Sequence, residues 1–214
     1  MKIAKPLLPK QLEDGISLEE AFGMAALDDA AICGYAFNGG DAVAAPLEKQ
    51  EISQCSFTAC RLGSAELRRA WVRDTVFTRC DFENADFTDS TLHKVEFNNC
   101  RLTGAKFSGA SIHDCRFTDC NAAYINFCET GLKNTRFEKC KLKNAVFSGI
   151  RTKPFEFDAC DLSAAEWANT LLKDVDFTSD NIDGGSFIGH ELHGAIVNAM
   201  QACELAKLLG VRIQ

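Results

Sequence analysis

A large apolar residue recurs at every fifth position of the chain from residue 52 to residue 192. Of the 29 positions in this column, 27 hold a large apolar side chain, and only Ala122 and Thr152 do not. Neither the roughly 3.6-residue period of a helix nor the alternation of a strand gives this spacing. A fixed internal period over so long a stretch is typical of a solenoid, in which stacked repeats bury one continuous core.

The residue two positions before each large apolar residue is mostly small or carries a thiol. The repeat therefore reads small, polar, large, polar, polar, as in residues 80–84 and 105–109. Two inward positions in every five make a continuous core, and the other three face water. Where the large column is undersized, a larger residue follows three positions later: Ile125 comes after Ala122, and Phe155 comes after Thr152. We expect these substitutions to keep the core volume nearly constant.

A longer period of twenty residues runs through the same columns. Phenylalanine stands at positions 57, 77, 97, 117, 137, 157 and 177, and cysteine at positions 60, 80, 100, 120, 140 and 160. One turn of the solenoid therefore takes four repeats. The register can also be traced back through Phe37, Ile32 and Leu27 toward the N-terminus. With turns stacked at the strand spacing of roughly 4.8 Å, about eight coils give a rod on the order of 40 Å long.

These repeats resemble the signature A-(D/N)-L-x-x of the pentapeptide-repeat family over roughly residues 30–195. The resemblance implies a right-handed β-helix with a square cross-section and four repeats per coil. The expected fold is an all-β solenoid, a right-handed quadrilateral β-helix of about eight coils, with a C-terminal α-helix for capping or dimerisation. The expected domains are an N-terminal cap (1–30), the β-helix (31–195) and a C-terminal helix with a short strand (196–214).

Both ends of the chain depart from the five-residue register. Ser17 and Glu20 form a capping-box pattern, and the sequence leaves open whether the first thirty residues form a helix or an imperfect coil. Near the other end, Asn198 followed by Gln201 indicates a helix start, and Gly210 is a natural stop. We therefore expect a helix between Asn198 and Gly210.

The segment from Gln201 to Val211 is similar to the C-terminal segment of the quinolone-resistance (Qnr) pentapeptide-repeat proteins, which makes a symmetric dimer. The resemblance implies a homodimer of this chain, and the alternative is a helix that only caps its own core. The residues expected at the dimer interface are Met200, Cys203, Leu205, Leu208, Leu209, Val211 and Ile213.

Composition narrows the class of protein. The chain has 214 residues, 46% of them hydrophobic, and no apolar run approaches the roughly 18 residues of a membrane span. Its start has no apolar signal-peptide core, so we expect a cytoplasmic protein that makes no membrane contact. Eight of the 11 cysteines stand in the small inward column, where a reduced thiol acts as a compact apolar filler, whereas Cys128 stands in an outward position.

Motifs of catalytic or cofactor chemistry are missing from the sequence. The chain has no G-x-S-x-G, no Walker loop, no H-E-x-x-H and no dinucleotide fingerprint. Its cysteines lack the close C-x-x-C pairs of a zinc site. We therefore expect no catalytic residues, no cofactor and no metal.

In one column, the residue after the large apolar residue is basic or titratable in every coil. These residues are Arg73, His93, His113, Lys133, Lys153, Lys173 and His193. They should form one vertical stripe, and repulsion between stacked charges should depress the pKa of the histidines. The stripe is either a docking surface for an acidic partner or polyanion, or an ordinary solvated edge with Asp74, Asp114 and Asp174 beside it.

Charge is distributed unevenly along the chain, whose net charge is −7. Residues 101–153 carry 10 basic and 4 acidic residues, whereas residues 154–195 carry 1 and 9. An acidic dimeric rod is similar to the DNA-mimicking family members that bind type II topoisomerases. That resemblance implies DNA gyrase or topoisomerase IV as partner and no direct binding of nucleic acid. The basic middle departs from it, so a rigid interaction surface for an unknown protein partner is the other open function.

Overall fold

The computed structural model describes residues 2–28, 30–152 and 154–212. Within them, α1 (Leu18–Asp28) lies near the N-terminus, α2 (Ala199–Ala206) near the C-terminus, and short strands lie between. The strands are β1 (Ile32–Cys33), β2 (Ala36–Asn38), β3 (Glu51–Ser53), β4 (Ser56–Thr58), β5 (Trp71–Thr78), β6 (Thr91–Asn98), β7 (Ser111–His113), β8 (Arg116–Thr118), β9 (Gly131–Lys133), β10 (Thr135–Glu138) and β11 (Phe155–Asp158). No helix in this part of the chain is long and apolar enough to cross a membrane.

Successive turns of the chain pair residue by residue at an offset of twenty. Phe57 pairs with Phe77, and Phe77 with Phe97, in a parallel ladder. The paired columns run through positions 61, 81 and 101; 66, 86 and 106; 71, 91 and 111; and 76, 96 and 116. Four columns in each twenty-residue turn give the rod four sides, as the resemblance implied.

The corners between the sides are turns with left-handed backbone. A positive φ recurs at the last position of the five-residue repeat, for example at Asn84 (56°), Asp89 (56°) and Asn99 (54°). Asparagine and aspartate tolerate this conformation better than most side chains, and glycine adopts it freely, as at Gly104 and Gly109. The corner geometry therefore explains why Asn, Asp and Gly are frequent at this position.

The main path of the sheet runs β1-β3-β5-β6-β8-β10-β11. Each of these seven strands comes from the turn after the previous one, so the path contains six steps from one turn to the next. This is slightly fewer than the eight or so coils expected, because the last turns are joined by isolated bridges instead of strands. Asp161 pairs with Asn181, and Asp176 pairs with Ile196, at the same offset of twenty. The four-sided β-solenoid with a C-terminal helix is confirmed.

The inward columns fill the axis of the rod. Phenylalanine rings stack from turn to turn, and the rings of Phe97 and Phe117 have centroids 4.8 Å apart and planes 5° apart. All eight inward cysteines are buried and free, and Cys128 is half-buried. Burial raises the pKa of the Cys115 thiol to about 12. A protonated thiol of this kind acts as an apolar filler, as the sequence predicts.

The two interruptions of the large apolar column behave differently. Ala122 and Ile125 are both buried, as the expected compensation in core volume requires. Thr152 is exposed and pairs with Gly131, an offset of 21 residues. Phe155 is back in register and buried. The inward placement of Thr152 is therefore wrong, because the chain slips by one residue at this point.

The first thirty residues contain a helix that caps the rod. Ser17 and Glu20 form the predicted capping box, with N–H···O distances of 3.0 and 3.1 Å. Phe22 is buried on the first turns of the core. Leu27 is 86% exposed on this helix, so the register does not extend back to it; Ile32 is the first buried residue of the column.

Helix α2 closes the other end of the core. Asn198 accepts a hydrogen bond from the Gln201 N–H at 3.0 Å, and the Gln201 side chain accepts one from the Asn198 N–H at 2.8 Å. The amide Nε2 of Gln201 also donates to the carbonyl oxygens of Phe177 (2.7 Å) and Asp180 (2.8 Å). The helical region ends at Gly210, whose φ is 77°. Gln201 thus connects the helix to the last turn of the rod.

Candidate functional site

Part of the titratable stripe forms a vertical row on one side of the rod. The residues of this row, paired in register across β5, β6, β7 and β9, are Arg73, His93, His113 and Lys133. Lys173 and His193 are exposed in turns further along the chain, and Lys153 lies outside the described residues. The structure therefore brings four of the seven predicted residues together.

The two histidines of this row lie face to face. Their ring centroids are 5.2 Å apart and their planes differ by 25°. Oδ2 of Asp114 lies 3.3 Å from His113 Nε2 and 3.8 Å from His93 Nε2. Burial lowers the pKa of His93, and the charges of Lys94 and His113 lower it further. The direction agrees with the sequence prediction, but burial is a larger cause than repulsion.

An extended N-terminal arm, residues 2–8, lies against the same side of the rod. Its backbone donates two hydrogen bonds to corner carboxylates. The Ala4 N–H reaches Asp114 Oδ1 at 3.3 Å, and the Leu7 N–H reaches Asp74 Oδ1 at 2.9 Å. The five-residue pattern gives no signal for this contact, because the arm lies before the repeats begin.

The carboxylate of Asp114 is fixed through one oxygen. Oδ1 accepts the hydrogen bond from the arm and a second one, at 3.3 Å, from the side-chain amide of Asn134. Only 12% of the Asp114 side chain is exposed. The second oxygen, Oδ2, is the one that faces the imidazoles of His93 and His113. The carboxylate is therefore oriented by its neighbours on one side and presented to the histidines on the other.

A groove of about 660 Å³ runs beside the row. It is lined by Trp71, whose side chain is largely exposed, by Arg73 and by both histidines. Nε of Arg73 lies 3.8 Å from Oε1 of Glu51, so its charge is already paired. The groove combines an exposed indole ring with two imidazoles at one place on the surface.

His93, His113 and Asp114 are also a potential set of metal ligands, since one donor atom from each lies within 4.8 Å of the other two. The C-x-x-C spacing, on which the expectation of no metal rests, does not include this set. The relevant signal is a histidine repeated after twenty residues and followed directly by an aspartate, because the solenoid places these residues on adjacent turns.

Large apolar side chains are exposed on helix α2 and the turn after it. We define the C-terminal apolar patch as Met200 (79% exposed), Leu208 (52%), Leu209 (81%) and Val211 (49%). A groove of about 690 Å³ lies beside this patch, with Leu192 and Val197 among its lining residues. Leu208 and Leu209 line this groove themselves, and together they make an apolar surface at the end of the rod. Met200 lines a different groove, together with Asp183 and Glu204.

The remaining residues expected at the dimer interface differ in their environment. Cys203 is exposed, whereas Leu205 packs on the core of the rod. Ile213 lies outside the described residues. Val211 and Arg212 are not in a strand, so the short strand expected here is not seen in the described part of the tail.

Charges of opposite sign pair between neighbouring turns. Arg101 lies 3.2 Å from Asp81, one turn earlier, and Arg136 lies 3.5 Å from Glu156, one turn later. Pairs as exposed as these contribute at most about 1 kcal/mol each. The pair of Arg136 and Glu156 also changes the surface charge, because Arg136 offsets part of the negative charge of the acidic segment 154–195.

A parallel four-sided solenoid with a filled axis defines a class of repeat protein that displays side chains on flat outer faces. The model of pentapeptide repeats in eight copies matches residues 55–93, and the model of the pentapeptide repeat region matches residues 90–167. This chain belongs to the pentapeptide-repeat family.

Solved structures are similar to the chain to different degrees. Trypsin-treated QnrB1, a plasmid-mediated fluoroquinolone resistance protein, is 26% identical over 86% of this chain and 89% of its own, with a TM-score of 0.48. HetL, involved in heterocyst differentiation regulation in the cyanobacterium Nostoc sp. strain PCC 7120, is 12% identical over 86% and 95%, with a TM-score of 0.35. A pentapeptide repeat protein from the Arabidopsis thaliana thylakoid lumen is 18% identical over 54% and 63%, with a TM-score of 0.21. Among curated proteins, no sequence match was found.

Proposed function

We propose that the protein is a non-catalytic, rigid rod that self-associates through its C-terminal end and presents its sides to a protein partner still to be identified. The observation that carries this proposal is the exposure of the C-terminal apolar patch. Large apolar side chains grouped on a surface are typical of protein interfaces.

The position of the patch supports self-association. Gln201 already closes the last turn of the core through its hydrogen bonds to Phe177 and Asp180, so the patch is not needed as a cap. Leu208 and Leu209 follow helix α2 and line the same groove as Leu192 and Val197. A second copy is a suitable occupant, because a two-fold axis places the same apolar surface on both sides of the contact.

The filled interior supports a non-catalytic role. Phenylalanine rings such as Phe97 and Phe117 occupy the axis, and the grooves of the described residues lie on the outside of the rod. The inward thiols are buried and free, which fits a reducing compartment such as the cytoplasm. A rigid body of this kind acts through the side chains that it displays.

The self-association is tested by light scattering during size-exclusion chromatography. We expect a dimer for the unaltered protein and a monomer for Leu208→Glu/Leu209→Glu, because two carboxylates cannot be buried in an apolar contact without partners. Leu171→Glu is the matched control, since Leu171 is also exposed but lies on the side of the rod. An unaltered protein that stays monomeric at high concentration, or a double variant that stays dimeric, would overturn the proposal.

A DNA-mimicking binder of type II topoisomerase is the alternative function. The 9 acidic and 1 basic residues of segment 154–195 favour it. The pairing of Arg136 with Glu156 favours the general interaction surface, because it interrupts the acidic face that a mimic needs. A DNA gyrase supercoiling assay with and without a fluoroquinolone separates the two. Inhibition of supercoiling, or protection from the drug, would replace our proposal with the mimic, and we expect neither.

A further inference from the structure

We propose that His93, His113 and Asp114 form a binding site for a divalent transition-metal ion, with zinc as the reference ion. The site lies on the side of the rod, away from the C-terminal apolar patch, and does not depend on the function proposed above. Its ligands are two imidazole nitrogens on adjacent turns and one carboxylate oxygen at the corner between two sides.

The distances are close to those that a bound ion requires. Zinc–nitrogen and zinc–oxygen bonds of roughly 2.0–2.2 Å in a tetrahedral arrangement place neighbouring donor atoms about 3.3 Å apart. The His113 Nε2 to Asp114 Oδ2 distance is already 3.3 Å, and the corresponding distance from His93 Nε2 is 3.8 Å. Small rotations of the two partly exposed imidazoles can complete the geometry without any movement of the backbone.

The backbone holds the two histidines at adjacent heights. His93 in β6 and His113 in β7 are paired in register in the parallel ladder, so the distance between them is set by the spacing of the turns. A rigid ladder of this kind loses little conformational freedom when the ion binds. The two ligands are therefore arranged before the ion arrives.

The Asp114 carboxylate is also oriented before an ion binds. The Ala4 N–H and the Asn134 side-chain amide both donate to Asp114 Oδ1, which leaves Oδ2 directed at the imidazoles. Hydrogen bonds from surrounding groups orient metal ligands in many known sites, and their loss lowers metal affinity roughly 10- to 100-fold. The arm and Asn134 provide this support here.

The remaining coordination positions open into the groove beside Trp71, where water or a ligand side chain of a partner can complete the shell. A set with two imidazole donors suits Zn²⁺, Ni²⁺ and Cu²⁺ better than Ca²⁺ or Mg²⁺, which prefer oxygen ligands throughout.

The test is isothermal titration calorimetry with ZnCl₂ in a buffer that does not bind metal. Thiols outside the buried column compete for zinc, so Cys33, Cys128 and Cys203 are first replaced by serine in every sample. We expect one zinc ion per chain. We expect His93→Gln/His113→Gln to abolish this binding, and His190→Gln/His193→Gln, which alters the other two histidines, to leave it unchanged.

A measurement on the protein without histidine substitutions gives an independent answer. In ¹H–¹⁵N spectra that report on imidazole rings, ZnCl₂ should shift the signals of His93 and His113 and leave those of His190 and His193 in place. Failure of the serine-substituted protein to bind zinc, equal binding by His93→Gln/His113→Gln, or equal shifts in all four histidines would each overturn the proposal.

Discussion

The carboxylate of Asp180 accepts a hydrogen bond from the backbone N–H of Cys160, at 2.7 Å and one turn earlier in the rod. Its other oxygen has no hydrogen-bond partner among the described residues. Burial raises the pKa of Asp180 to about 6, and the negative charges of Asp158 and Asp176 contribute in the same direction. The last turn of the core thus contains an acid that is more easily protonated in the folded state than in the unfolded state.

This raised pKa predicts a pH-dependent loss of stability. The protonated Asp180 contributes to the free energy of unfolding. This contribution is fully present below the unfolded pKa of roughly 4 and is lost as the pH rises through the folded pKa of about 6. As the pH rises from 4 to 8, the unaltered protein should lose about 2–3 kcal/mol of stability that Asp180→Asn keeps. Asparagine still accepts the hydrogen bond from Cys160 but cannot ionise. Urea unfolding at both pH values measures the change. The exposed Asp183→Asn is the control, and the same pH dependence in both variants would contradict the assignment.

The compensation at Ala122 predicts a large cost for removing its neighbour. Ile125→Ala creates a cavity beside an already undersized position, so the free energy of unfolding should fall by about 2–5 kcal/mol. Thermal and urea unfolding measure this loss. Leu171→Ala removes an exposed leucine and should change stability by less than about 0.5 kcal/mol. Equal losses in the two variants would show that Ile125 does not fill the core as described.

The contacts of Gln201 predict that the C-terminal cap depends on one side chain. Gln201→Ala leaves the carbonyl oxygens of Phe177 and Asp180 without their donor and removes half of the capping box. The free energy of unfolding should fall by about 2 kcal/mol or more. Hydrogen exchange should rise in the last turn and stay unchanged near β6. Cys203→Ala, an exposed change on the same helix, should leave both measurements unaltered.

The N-terminal arm predicts a specific loss when it is removed. Deletion of residues 2–8 takes away the N–H groups that bond to Asp114 and Asp74, while the core columns remain intact. The melting temperature should change little, whereas zinc affinity at the histidine pair should fall about 10-fold or more because Asp114 loses a donor that orients it. The deletion is compared with Asp74→Asn, which alters the other contact of the arm. Unchanged zinc affinity in the deletion would show that the arm does not prepare the site.

The strict spacing of the apolar columns made the rod predictable. A residue and its counterpart twenty positions later have to be neighbours, so the sequence alone places Phe57 on Phe77 and His93 on His113. The slip at Thr152 was not predictable, because the five-residue pattern resumes at the next repeat and conceals the displaced residue. The placement of Leu27 in the apolar column was wrong for a different reason. Leu27 lies in helix α1, and its position only coincides with the five-residue spacing.

Only part of the candidate site could be predicted from the sequence. The vertical row followed from the period, but the role of Asp114 depends on which of its oxygens is engaged. That detail comes from the Ala4 N–H and the Asn134 amide. Ala4 is distant from Asp114 in sequence, and Asn134 lies on the next turn. The exposure of Leu208 and Leu209 likewise depended on how α2 leaves the rod, and a helical pattern alone does not determine that direction.

Apart from the slip at Thr152, the strands of successive turns pair at an offset of twenty residues, so each turn is related to the next by the same rotation and rise. Inserting twenty residues in the middle would add one layer of roughly 4.8 Å and leave each face aligned above and below the insertion. Inserting five would instead rotate everything beyond it by about a quarter turn, since one repeat forms one of the four sides. The angle between the histidine pair and the C-terminal helix is thus adjustable in steps of one repeat, without a change to either surface.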